Sequence, residues 1–307
     1  MKFKIQRFAD TNYLQDNLKG FVPNIISKEI IGMAVRGSSV LRLSKVEAME
    51  SDNKTFSVMK KGVGAYWVKE AGRIQNSTPD WDFPEMKAEK IAVIIPVTKE
   101  KLNDATIDVF GTIQPYIAEA FYETIDSACL FGANSPFANS IYDVANTSGQ
   151  KVEIGTNDKV DLDISDVMSA VEKSGFDVDG FAAGLDFKNQ LRKLRDADGN
   201  QLYVEGVGQK NLYSLPIEFN RANSWDSTKA LVLAGEWKYS VVGLREELEY
   251  EILKEATLHN ITMSDGKPLS LAENDLIAVK VTMRLGFTIV QPKAFAILVP
   301  KATAGGN

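Results

Sequence analysis

One stretch, Thr55 to Gly132, constrains this chain most, because it carries more large aromatic surface than its own neighbourhood can bury. It opens TFSVMKKGVGAYWVKEAGRIQNSTPDWDFPEMKAEKIAVIIPVTKEKL and runs on into DVFGTIQPYIAEAFYETIDSACLFG. Two extended runs, Val63 to Val68 and Lys87 to Val97, flank a polar segment of turn formers (Gly72, Asn76, Ser77, Pro79, Asp80), which predicts a long two-stranded arm. A two-stranded ribbon is marginal in water, yet this one carries Tyr66, Trp67, Trp81 and Phe83. The surface those rings need is expected on another subunit, with Glu70 and Arg73 as exposed partners of neighbouring charge.

The second half of the stretch reads as a helix. Val109, Phe110, Ile113, Ile117, Ala120, Phe121, Ile125 and Ala128 recur at steps of three and four, Asp108 is placed to cap the start, and Gly132 follows the last apolar residue as a stop. Glu119, Glu123 and Asp126 fall on the opposite, polar face. Pro115 lies about two turns in, so the helix either starts there or is kinked there.

Charge and rare residues narrow the function classes. The 307-residue chain carries 35 Lys and Arg against 41 Asp and Glu, a net charge of -6, with no basic block, so a tight nucleic-acid binder is not expected. MKFKIQRFAD lacks the apolar core of a signal peptide, and no apolar run approaches the 18 or so residues of a membrane span. The single cysteine, Cys129, cannot form an intrachain disulfide and reads as a packed thiol in the helix. A catalytic device built on histidine would need His259, which reads as a polar-loop residue far in sequence from Cys129. One His and one Cys do not make a zinc site, and no cofactor is expected. Asp196, Asp198, Gly199 and Glu205 match part of a calcium-loop spacing, but Leu194 fills the first ligand position, so a helix-ending turn is expected there. The acidic group Asp158, Asp161, Asp163 and Asp166 reads as helix N-terminal charge. Gly62 to Gly64 and Gly206 to Gly208 lack the remaining residues of a phosphate loop and read as turns.

After Gly132 the composition changes. Ala133 to Val160 is rich in Asn, Ser, Gly and Thr and is expected to be loop-like. Ile164, Val167, Met168 and Val171 predict a helix capped by Asp161 or Asp163 and stopped by Gly175; Gly180 to Gly184 predicts a short buried strand, and Leu185 to Arg195 a further helix with Leu191 and Leu194 inward. Then comes a loop from His259 to Glu273, with a turn at Asp265 and Gly266. An alternating strand from Leu276 to Leu285 is broken by Gly286, and a last strand runs from Ala294 to Val299.

Taken in order, these pieces resemble the major capsid protein family of tailed phages, whose fold also builds encapsulins and the floor of herpesvirus shells. The matching residues are the A-x-W-V-x-E arm motif at Ala65 to Glu70, then Lys87, Lys90, Ala92, Val93, Pro96, Val97, Thr98, Glu100 and Leu102 after a polar tip. The Ala118-Glu119-Ala120 step, Asp126 and Gly132 follow in the helix, then LDFKNQLRKLRDADGN, NLYSLPIEFN and ALVLAG, and the closing pattern from Arg284 through Gly286, Pro292 and Ala294 to Leu298. Order, more than any single motif, makes the match specific.

The resemblance implies an α+β capsid fold with an N-terminal arm in residues 1–54, an extended loop hairpin in 55–97, a peripheral domain with a spine helix in 98–132, an axial domain in 133–275, and peripheral return strands and tail in 276–307. It implies a structural protein, not an enzyme, that self-assembles into pentamers and hexamers of an icosahedral shell around double-stranded DNA. Its expected residence is the virion capsid, assembled in the host cytoplasm. Implied partners are further copies of itself, a portal protein, loosely held DNA and a separate scaffolding protein, since the arm motif starts too early to leave room for a fused one. No membrane partner is implied. The inter-subunit contacts are expected at Tyr66, Trp67, Glu70, Arg73, Trp81 and Phe83, and the spine residues of interest are Pro115, Glu119 and Asp126. Lys60, Lys61, Lys69 and Lys87 are available for the family's isopeptide chemistry, but no Asn and Glu align, so an uncrosslinked shell is expected. An encapsulin-type compartment and a soluble carboxylate enzyme are the alternatives.

Overall fold

The computed structural model describes residues 37–301 except 62, 71, 75, 100–108, 196–197, 199–210, 222 and 264–265. The N-terminal arm before residue 37, the Asp108 cap, most of the calcium-like turn and Gly206 to Gly208 lie outside the described residues. Chain contacts define two compact units. Ala92–Ala118 with Glu247–Met283 belong to one; Ala34–Ile91, Glu119–Glu246 and Arg284–Asn307 belong to the other.

The predicted long helix is present as a single element, Val109–Phe131, here α2. Pro115 sits inside it, so the start-at-proline option is excluded. Gly132 ends it with φ +68°, and its N–H donates to the Ala128 carbonyl at 3.0 Å, the left-handed stop that glycine adopts without a Cβ penalty. Before it come the short helix α1 (Ser39–Leu43) and the strands β1 (Lys45–Ala48), β2 (Asn53–Thr55), β3 (Val58–Lys61), β4 (Asp80–Asp82) and β5 (Glu85–Thr98). After it come α3 (Ile141–Thr147), β6 (Lys151–Glu153), α4 (Val160–Glu172), β7 (Gly180–Gly184), α5 (Lys188–Arg192), β8 (Asn211–Leu212), β9 (Leu215–Asn220), β10 (Val232–Gly235) and β11 (Ser240–Leu253). The chain closes with β12 (Thr257–Thr262), β13 (Pro268–Ser270), β14 (Leu276–Ile289) and β15 (Phe295–Val299).

The larger unit is built on a six-stranded mixed sheet, ordered β6-β15-β10-β7-β9-β8. One face is laid down by alternation: Phe181 and Ala183, Val232 and Ala234, Ala296 and Leu298, and Ile217 all point the same way. Helix α4 covers that face with Ile164, Val167 and Val171, spaced three and four apart, all fully buried. The other face is also dry, with Ala182, Leu233 and Ile297 buried and α3 packed against β15. Strands buried on both faces lose the in-out alternation of a surface strand, which is why GFAAG and VLAG read as continuous apolar runs. Trp237 closes one end, donating from Nε1 to the Gly180 carbonyl at 2.9 Å and meeting Phe295 edge-on at 5.7 Å.

A second sheet runs in the order β1-β11-β14-β5-β2. Within the larger unit its core is Met49, Met86, Ala88 and Val241. Within the smaller unit β12 and β13 pair antiparallel, and Ile277, Ala278, Val279, Val281 and Met283 of β14 are buried with Leu269 and Leu271.

Several expectations are corrected. Val63 to Val68 is not a strand; among the described residues of the arm, the hairpin ladder pairs Val58, Met59 and Lys61 with Asp82, Trp81 and Asp80 across a register shift. The second arm run is the longer strand β5, but its neighbours are β2 and β14. Gly286 does not break β14: a Cβ there would stand 2.8 Å from Met86 Cγ, so the glycine marks tight packing rather than an end. Ala133 to Val160 is not all loop, since Ser140 caps α3 by accepting from Asp143 N–H and β6 adds an edge strand. Asp161 and Asp163 lie within the first turn of α4 rather than capping it; buried Asp163 accepts from the N–H groups of Gly155 (2.7 Å) and Asn157 (2.8 Å). Leu185 to Arg195 forms only a 3-10 turn and the short α5, with Leu191 buried and Leu185 exposed. His259 lies in β12, exposed, and not in a loop.

Candidate functional site

Two regions stand apart from ordinary core and surface. The first is the arm. Every described residue from Val63 to Glu70 is exposed and has no regular secondary structure, as are Gly72, Arg73 and Ile74. Local bonds hold it sparsely: Gly72 N–H donates to Lys69 O at 2.8 Å and Gly64 N–H to Ser77 Oγ at 2.6 Å. Tyr66, Trp81 and Phe83 are each about half exposed and Trp67 is fully exposed. Val63 (67%), the first residue of the predicted run, and Ile74 (78%), an isolated apolar side chain in an otherwise polar segment, add to this surface. Glu70 and Arg73 are exposed beside them. Lone exposed apolar residues are ordinary, but seven large ones within 21 positions of a thin loop are not (Val63, Tyr66, Trp67, Val68, Ile74, Trp81 and Phe83).

The second region is the polar stripe of α2. It does not simply face water. Glu119 pairs with Arg221 and accepts from Tyr122 Oη at 3.1 Å; Glu123 accepts from Asn223 Nδ2 at 3.2 Å. Asp126 goes furthest, being 1% exposed although the sequence puts it on the polar face. Its Oδ1 accepts from Ser38 Oγ (2.5 Å) and Val40 N–H (3.2 Å). Its Oδ2 accepts from Ser39 N–H (3.0 Å), Ser39 Oγ (3.3 Å) and Asn220 Nδ2 (2.9 Å). Burial pushes the Asp126 carboxyl up to about 6, with the bonds from Ser38, Ser39 and Val40 pulling the other way. The helix turn at 119–126 is thus tied to the end of β9 and to the start of α1, where Ser38 caps the helix by accepting from Leu41 N–H. Sequence separations of 86 to 94 residues hid this junction.

Pro115 is exposed on α2, about one turn before Glu119. Cys129, one turn after Asp126, is fully buried, and burial raises its thiol well above the usual range, so it is inert packing. Among the described residues no group of three or more His, Cys, Asp and Glu side chains could hold a metal, and no helix is long and apolar enough to cross a membrane. Neither region assembles a nucleophile with a base. What the arm presents is exposed apolar surface, and what the Asp126 junction presents is a buried set of hydrogen bonds between α2, α1 and β9.

The sequence model of the phage capsid family matches residues 19–299. The chain belongs to the phage capsid family. The major capsid protein of Staphylococcus phage 80alpha is 29% identical to it over 312 aligned positions, covering 98% of this chain and 94% of that protein. Among solved structures, a chain of Microbacterium phage Oxtober96 superposes with TM-score 0.75 at 27% identity, covering 86% of this capsid protein and 91% of that chain. A chain of Mycobacterium phage Cain gives TM-score 0.75 at 25% identity, covering 87% and 92%. The α+β capsid fold expected from the sequence is therefore the fold of this chain, and the capsid protein is a structural viral protein of the virion, not an enzyme.

Proposed function

We propose that this capsid protein forms pentamers and hexamers of an icosahedral shell around double-stranded DNA, with the arm of one subunit laid over its neighbour. The observation that carries the reading is the arm: Tyr66, Trp67, Ile74, Trp81 and Phe83 stand in water on a subunit whose six-stranded sheet is buried on both faces. Moving a fully exposed tryptophan into a neighbour removes roughly 150–250 Å² from water, about 4–6 kcal/mol at ~25 cal/mol/Å² before ordering costs. Repeated round a ring, that is enough to favour closure.

In this reading residues 133–275 gather about the symmetry axes, and Glu70 and Arg73 meet opposite charges at the rim of the arm contact. Strain during shell expansion concentrates near Pro115 on the spine helix. A scaffolding protein and a portal guide assembly in the host cytoplasm, and a net charge of -6 suits a wall that holds DNA only loosely. Negative-stain electron microscopy of the full chain, expressed alone and with its genomic neighbours, tests this. Shells or capsomer rings are expected, and Trp67→Ala with Trp81→Ala is expected to reduce them to subunits. Only small particles under every condition, or shells unaffected by the double substitution, would remove the arm from the assembly contact.

A further inference from the structure

Taking a carboxylate out of water is costly, and proteins ordinarily do it against a cation. Asp126 is 1% exposed, and its five partners are all neutral: two serine hydroxyls, two backbone N–H groups and one side-chain amide. The charged groups on the elements packed around it are engaged elsewhere. Arg42 of α1 pairs with Glu218 of β9, and Arg221, just past β9, pairs with Glu119 of α2. On α2 itself Glu123 is taken up by Asn223, and Cys129 stays a neutral thiol. The fastening between α2 and the first turn of α1 therefore rests on an uncompensated buried charge.

Two of the five donors are hydroxyls, which accept as readily as they donate. A proton taken from water onto Asp126 can be donated to Ser38 Oγ at 2.5 Å, or to Ser39 Oγ at 3.3 Å, once that hydroxyl turns its own hydrogen away from the carboxyl. Only the neutral acid escapes the cost of a buried charge. We propose that Asp126 is a proton-sensitive latch, in which uptake of one proton tightens the hold of α2 on α1.

The direction follows from linkage. The closed carboxyl is pushed up to about 6 by burial, against an ordinary value of 3.8 once the junction opens and the group meets water. Protons therefore bind the closed form more tightly. The added stability is complete below about pH 4 and is lost as pH rises through 6, a change in the opening equilibrium of about a hundredfold, level above that.

Hydrogen exchange of peptides spanning residues 37–43 in the full chain, corrected for the intrinsic chemical rate, reads this opening directly. In the wild type, protection is expected to fall about a hundredfold between about pH 3 and pH 7 and then level off, and in Asp126→Asn to be flat. Ser38→Ala, which removes a donor that favours the carboxylate, is expected to carry the fall to higher pH. It decides the matter if Asp126→Asn does not fold. A flat wild-type profile, or the wild-type profile kept in Asp126→Asn or in Ser38→Ala, overturns the latch.

Discussion

Gly243 shows how tightly single positions are specified in this chain. It lies on β11 opposite Glu47 of β1, and a Cβ added there would stand 2.4 Å from both Met49 Sδ and Met86 Cε. The two methionines fill the space that the missing side chain leaves, and both are almost completely buried. Gly243→Ala forces them out of a filled core, so a loss of about 1–3 kcal/mol is expected, read as a lower midpoint in urea unfolding. An unchanged midpoint would mean that the sulfur ends move aside freely. Asp126 is specified in another way, by bonding rather than by space, because each of its oxygens already has its donors.

At the scale of elements, α2 carries the clearest local conflict. Proline in a helix interior removes one backbone hydrogen bond and crowds the preceding turn, at a cost of about 3 kcal/mol. Pro115 is exposed, so nothing in the core requires its ring, and Pro115→Ala is expected to stabilise the subunit by about 1–3 kcal/mol, seen as a higher thermal midpoint. A lowered midpoint would show that the ring has a packing role. The same helix shows what could be read in the sequence. Its apolar spacing and terminal glycine marked its end correctly, and GFAAG and FAILV could be read as strands because both-face burial leaves unbroken apolar runs. The errors have physical causes. Val63 to Val68 has a strand's composition but no partner strand, and a ladder needs two. Gly286 resembled a break because composition does not reveal the methionine packed over it. α3 was missed because IYDVANT is short and its cap, Ser140, lies in a polar run. Periodicity put Asp126 on the polar face, but its partners near residues 38 and 220 are invisible to any local window.

For the whole molecule, the division of labour between folding and assembly makes the sharpest prediction. Leu233 is fully buried in the centre of the six-stranded sheet, so Leu233→Ala removes contacts on which the subunit itself depends, at a cost of about 2–5 kcal/mol. Val63 and Ile74 are mostly exposed, so Val63→Ser with Ile74→Ser removes almost nothing from the free subunit, and its unfolding free energy is expected to stay within about 0.5 kcal/mol. If the arm's apolar surface exists for a neighbour, the same pair should still weaken assembly. Calorimetry on dissociated subunits and sedimentation of assembled material separate the two effects. Leu233→Ala is expected to lower the subunit's melting temperature, and the arm pair to leave that temperature alone while shifting material from shells to free subunits. Should the arm pair lower subunit stability as much as Leu233→Ala does, the arm would be folding against its own subunit, and the residues that bind neighbouring copies would have to be sought elsewhere on the surface.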